Sequence, residues 1–131
     1  MTQEEKELLL KDICGRLPYG VKIRTIEIWS NDSNKIETLK DIFIPEDNIP
    51  RCGEDGVPIE YIKPYLFPIS SMTEEQREEL MFISEIRITS TPDRIIKVYK
   101  NTIEWFLKNH IDYNNLIGKG LALDATGLNI Y

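Results

Sequence analysis

Thr91-Pro92-Asp93-Arg94-Ile95-Ile96-Lys97-Val98-Tyr99-Lys100-Asn101-Thr102-Ile103-Glu104-Trp105-Phe106-Leu107-Lys108-Asn109-His110 is the stretch on which the reading of the fold turns. Ile95, Ile96, Tyr99, Ile103, Phe106, Leu107 and His110 recur at helical spacing and fall on one face. Thr91 is a helix-capping residue, and Pro92 occupies the first helical position, where its fixed φ and missing N–H cost nothing. Asp93 with Lys97, and Glu104 with Lys108, have the i,i+4 spacing of ion pairs on the outer face. The pattern predicts a helix from Pro92 to about His110, long enough to organise a small fold around it.

Working outward toward the N-terminus, Ile86 and Ile88 alternate with Arg87 and Thr89, as in a half-buried strand. Thr73 and Gln76 form a capping box for a second helix ending near Ser84, with Glu74 and Glu75 at its positive end. Pro64 and Pro68 hold Tyr65-Leu66-Phe67 extended. Ile59 to Ile62 is either a short strand or a single helical turn. Pro45 to Pro58, with Pro50, Gly53 and Gly56 among acidic residues, reads as a long irregular loop. Two β-rich runs, Val21 to Trp29 and Lys35 to Ile44, flank the turn residues Ser30-Asn31-Asp32-Ser33-Asn34 and predict an antiparallel hairpin. Val21, Ile23 and Thr25 are out of phase with Ile26 and Ile28, which a bulge near Thr25 would reconcile.

A first helix is expected from about Glu4 to Cys14. Thr2 and Glu5 form its capping box, Leu9, Ile13 and Leu17 line its core face, and Glu4, Lys11 and Asp12 take the solvent side. Gly15 suits the left-handed residue that ends a helix. Beyond His110, Asn114 to Gly120 is a compact turn and Leu121-Ala122-Leu123 returns as a short strand. The order predicts an α+β fold: a small, mainly antiparallel sheet with about three helices packed on one face, residues 1–131 forming one domain.

The net charge of −6 works against nucleic-acid binding, which draws its affinity from Lys and Arg at phosphates. Lys97, Lys100, Lys108 and Lys119 gather late in the chain but are interleaved with Asp93, Glu104 and Asp112, as on a solvated face. No apolar run has the length of a membrane-spanning helix, and the acidic start Met1-Thr2-Gln3-Glu4-Glu5-Lys6-Glu7 is unlike a signal peptide. Cys14 and Cys52 lack C-x-x-C pairing and read as free thiols, so the expected setting is cytoplasmic.

Leu9-Leu10-Lys11-Asp12-Ile13-Cys14-Gly15-Arg16-Leu17-Pro18-Tyr19-Gly20-Val21, then Ile62-Lys63-Pro64-Tyr65-Leu66-Phe67-Pro68-Ile69-Ser70-Ser71-Met72-Thr73-Glu74-Glu75, and Trp105 through to Ala125 occur in that order. Together they resemble a family of short, uncharacterised proteins of anaerobic gut bacteria, often carried on prophage-like or other mobile DNA. The resemblance implies no activity. Relatives tend to carry two adjacent histidines in a Trp-Leu-Asn-Ala-His-His-Phe-Asp-Tyr pattern. Here the matching positions read Asn109-His110-Ile111-Asp112-Tyr113, with one histidine, and that departure favours a structural role for the segment.

His110 is the only histidine; with Asp112 and Tyr113 beside it, it has the makings of a general base oriented by a carboxylate, or of a helix-end residue facing the last carbonyls. His110, Asp112 and Asp124 are too few ligands for a metal site, and Glu46, Asp47, Glu54 and Asp55 lack calcium-loop order. Cys14 is expected to face the core and Cys52 to lie exposed in the loop. Ser70-Ser71 lacks a nucleophile elbow, and Gly118-Lys119-Gly120 is neither a phosphate loop nor a dinucleotide fingerprint. No catalytic residue, metal ligand or cofactor is therefore assigned. The binding candidates are Tyr65, Phe67, Trp105, His110, Asp112 and Tyr113, with Trp105 off the main helical stripe and placed to cover the Tyr65-Leu66-Phe67 arm or meet a partner. Apolar residues in both phases of the hairpin make self-association through the sheet credible. The leading expectation is a non-enzymatic accessory or interaction protein acting through a protein partner or a second copy. A small hydrolase or metal-dependent enzyme using His110 and Asp112, or an acidic DNA mimic, are the alternatives.

Overall fold

Local capping chemistry sets the three helices of the computed structural model, which describes residues 1–26, 35–85 and 91–131. In α1 (Gln3–Arg16), Thr2 Oγ1 accepts from the Glu5 N–H while the Glu5 carboxylate accepts from the Thr2 N–H. The same reciprocal box, Thr73 with Gln76, opens α2 (Glu74–Ile83), and Thr91 caps α3 (Pro92–Lys108). Among the described residues no helix is long and apolar enough to cross a membrane.

α1 runs past Gly15 to Arg16, and the left-handed residue is Gly20, after a 3-10 turn over Leu17–Tyr19. Gly15 serves close approach instead: a Cβ there would lie 3.0 Å from Leu107 Cδ1, so its absence lets α3 settle on α1. α3 stops at Lys108, two residues short of expectation, because His110 adopts a left-handed conformation with φ 58°. Its apolar stripe is buried only in part. Val98 and Trp105 are the buried residues of α3, whereas Ile95, Ile96 and Tyr99 are exposed. Ile103, Phe106 and Leu107, farther along the same stripe, are partly buried. The expected Asp93–Lys97 and Glu104–Lys108 ion pairs are not formed among the described residues; the Glu104 carboxylate instead accepts from the Tyr19 hydroxyl at 3.2 Å.

The fold is mixed α+β with mainly antiparallel strands, arranged as two sheets. In the larger, β1 (Lys22–Thr25) lies between β2 (Glu37–Thr38) and β6 (Ile62–Leu66), antiparallel to both, and β7 (Leu123–Asp124) joins β6 in parallel. The end of the first predicted hairpin strand (Glu27 to Trp29), the turn Ser30 to Asn34 and the strand expected over Ile86 to Thr89 lie outside the described residues. No bulge occurs at Thr25: the register Ile23↔Pro64, Arg24↔Lys63, Thr25↔Ile62 continues into the Ile26 N–H to Tyr61 carbonyl bond. Pro64 is tolerated because β7 joins only at Tyr65, so that ladder does not need the missing N–H. The alternatives for Ile59 to Ile62 are both used in sequence, a 3-10 turn over Ile59–Tyr61 and then β6.

Pro45 to Pro58 is not irregular throughout. β3 (Ile42–Phe43), β4 (Arg51–Cys52) and β5 (Val57–Pro58) form a three-stranded antiparallel sheet. Gly53 and Gly56, both at positive φ, make the tight turn between β4 and β5. Pro58 sits on the edge strand, where no N–H is required. The run predicted from Lys35 to Ile44 thus splits between two sheets, and the return expected over Leu121 to Leu123 pairs at Leu123–Asp124. Leu9, Ile13, Val21, Leu66 and Leu116 are among the fully buried residues of the core that joins α1, the larger sheet and the C-terminal segment.

Candidate functional site

The residues following α3 return to the end of β6. The Phe67 N–H donates to the His110 carbonyl at 2.8 Å, and the Phe67 carbonyl accepts from the Asp112 N–H at 2.8 Å. This short parallel bridge brings Tyr65, Phe67, His110, Asp112 and Tyr113 together. Trp105 belongs to the other side of α3, where it is buried, lines the groove toward α2 and meets Phe106 edge-on at 5.6 Å. Its Nε1 has no hydrogen-bond partner among the described residues.

His110 ends the helix through its backbone. Its N–H donates to the Leu107 carbonyl and the Ile111 N–H donates to the Phe106 carbonyl, the paired bonds of a Schellman motif. Glycine is the usual residue at this left-handed position; histidine accepts a strain of roughly 1 kcal/mol there. The imidazole does not face the helix carbonyls. It stacks on Tyr131 with ring centroids 3.7 Å apart and planes 15° from parallel. Burial first, then the charges of Arg16 and Lys22, lower its pKa to about 4, so the ring is neutral at pH 7. Tyr131 is itself fixed: its hydroxyl donates to the Tyr65 carbonyl at 2.6 Å and accepts from the Lys22 N–H at 2.8 Å. Burial pushes that phenol up to about 12.

Asp112 is buried, and both carboxylate oxygens are engaged. Oδ1 accepts from the Leu116 N–H at 2.7 Å and Oδ2 from the Ile117 N–H at 2.9 Å. The carboxylate therefore organises the compact turn after it, and no hydrogen bond joins it to His110. Tyr113 stacks on Phe106 at 5.4 Å and lies 5.7 Å from the Arg16 guanidinium carbon.

Arg16 and Asp12 are the partners that the sequence reading missed, having placed Asp12 on the solvent side. Both side chains are fully buried. Arg16 Nε donates to Asp12 Oδ1 at 2.5 Å, and Nη2 donates to Asp12 Oδ2 at 3.2 Å and to the Ile111 carbonyl at 2.7 Å. Asn114 Nδ2 adds a fourth bond, to Asp12 Oδ2 at 2.9 Å. The signal was present: Leu9, Asp12, Ile13 and Arg16 follow the i, i+3, i+4, i+7 spacing of a core face.

The remaining candidates are dispersed. The cysteines exchange the places expected of them: Cys14 is exposed, while Cys52 is buried in β4 with its thiol pushed up to about 12, chiefly by burial. Ser71 Oγ donates to the Pro68 carbonyl in a 3-10 turn before α2. Asp47, bonded by the Ile49 N–H and by Arg51, is held below the usual carboxylate range. Among the described residues no three His, Cys, Asp or Glu side chains converge as a metal site would require. Compared with known proteins, the chain matches no family model, no curated protein and no solved structure.

Proposed function

We propose that this chain is a non-enzymatic accessory or interaction protein that works through large apolar side chains left exposed on α2 and on the first half of α3. The observation that carries the reading is the exposure of large apolar side chains there: Met81 at 72%, Phe82 at 82%, Ile95 at 42%, Ile96 at 54% and Tyr99 at 67%. Such exposure on helices that otherwise fold normally is a feature of interaction sites. The engagement of Asp112 with two backbone N–H groups, of Arg16 with Asp12, the Ile111 carbonyl and Tyr113, and of the His110 ring with Tyr131 supports the same reading, since a hydrolase built on His110 and Asp112 needs them free to meet a substrate. Carriage on mobile DNA, which the resemblance of the three stretches implies, belongs to this proposal.

Photo-crosslinking tests it. A photoreactive residue at position 99 or 82, introduced into the full chain in its native cells, is expected to give adducts of discrete mass, whereas one at the exposed position 54 is not. No adduct from either helix, together with an activity lost in His110→Gln or Asp112→Asn at unchanged stability, would overturn the proposal in favour of an enzyme.

A further inference from the structure

We infer that the exposed first half of α3 pairs antiparallel with the same segment of a second copy of this chain, an inference that rests on reading the molecule as an interaction protein. Pro92, Ile96, Tyr99, Ile103 and Phe106 follow alternating steps of four and three, the seam of a helix-pairing heptad. The body of the fold already covers the second half of that seam, where Ile103 and Phe106 are partly buried. Ile96 and Tyr99 are left open, with Ile95 beside them on one flank.

The other flank identifies the occupant. Asp93 and Lys100 lie one heptad apart on the same side of the seam, both exposed and neither in an ion pair among the described residues. In an antiparallel helix pair, residues of one flank meet residues of the same flank on the partner. Two copies crossing between Lys97 and Val98 therefore set Asp93 near the partner's Lys100, and Lys100 near the partner's Asp93. The patch is thus complementary to itself, as a twofold interface requires. The bodies, lying toward the C-terminal halves of the helices, fall at opposite ends of the crossing.

The contact is modest. Taking ~200 Å² for a fully exposed large side chain, the fractional exposures of Ile95, Ile96 and Tyr99 leave about 330 Å² of apolar surface per copy. Such an area belongs to weak, reversible association rather than to an obligate dimer.

Sedimentation equilibrium on the full chain, up to about millimolar concentration for a contact of this size, tests the inference. The wild-type chain is expected to show a monomer–dimer equilibrium, and Tyr99→Glu to abolish it with an unchanged melting curve. Asp93→Lys and Lys100→Glu each place like charges opposite one another and should weaken the dimer about tenfold, while the double swap restores it. A wild-type chain that stays monomeric throughout, or a double swap without recovery, overturns the inference. Crosslinking separates the levels of failure: a monomeric chain that still gives a discrete heterologous adduct from position 99 loses only self-pairing, whereas one that gives no adduct loses the interaction reading as well.

Discussion

Replacing Asp12 by Ala removes two of the three hydrogen-bond contacts that hold the Arg16 guanidinium and the acceptor used by Asn114. Arg16 cannot lose its proton to escape, and it has no measurable exposure to water. The charge would then rest in the core with only the Ile111 carbonyl as an acceptor. Stranding one member of a buried pair costs about 3–5 kcal/mol, a large share of the ~5–15 kcal/mol that stabilises a typical domain. Replacing both members, Asp12→Leu with Arg16→Met, removes the stranded charge and leaves the Ile111 carbonyl and the Asn114 amide without these partners, roughly 1–3 kcal/mol. The double variant should therefore be more stable than Asp12→Ala. Urea unfolding followed by circular dichroism of Asp12→Ala, of the matching singles Asp12→Leu and Arg16→Met, and of the double variant measures all the required values, and the cycle on the matching singles extracts the coupling. A cost below about 1 kcal/mol for Asp12→Ala, the range of a solvent-screened surface pair, would refute the burial argument, as would a double variant costing the sum of the singles.

Asp112→Ala should lower stability by about 2–4 kcal/mol, because the Leu116 and Ile117 N–H groups lose a charged acceptor in a buried turn; thermal melting checks this, and an unchanged melt would contradict it. Gly15→Ala should destabilise by about 1 kcal/mol despite its better helix propensity, since the new methyl meets Leu107 at 3.0 Å. Trimming Leu107 to Val in that background should recover part of the loss. His110 is neutral in the folded state down to about pH 4, while its unfolded value is 6.5. The unfolded chain therefore binds the proton first, and stability contributed at pH 7 is lost as pH falls from about 6.5 to 4. The limit is ~3 kcal/mol, reduced to roughly 1–2 kcal/mol by residual solvent screening. His110→Gln should flatten that part of the stability–pH curve.

What the sequence made legible is what local chemistry decides. Both capping boxes, Thr2 with Glu5 and Thr73 with Gln76, form where residue types and spacing place them, because every atom involved lies within one turn. The α+β class and the antiparallel pairing of β1 with β2 follow from patterning instead, from β-rich runs flanking turn residues and helical spacing elsewhere. The smaller sheet was hidden because strands of two residues carry no periodicity, and Gly53, Gly56 and Pro58 punctuate a hairpin as readily as a loop. Arg16 is hard to read in spite of its core-face spacing, because a charged residue on a helix is assigned to water by default and one of its acceptors, the Ile111 carbonyl, lies 95 residues away. The helix end was placed late because histidine occupies a left-handed position usually reserved for glycine, and Tyr131, which fixes the imidazole, bears no sequence mark of that role.

We propose that the ionisable groups around His110 build the scaffold rather than a reaction centre. Because the chain has a single histidine, its imidazole signals in an NMR pH titration are unambiguous. The expected result is a ring that remains neutral through pH 5 and titrates near 4. A midpoint at or above 6.5, with the resonance responding to Asp112→Asn, would show an open, carboxylate-coupled base and contradict the account.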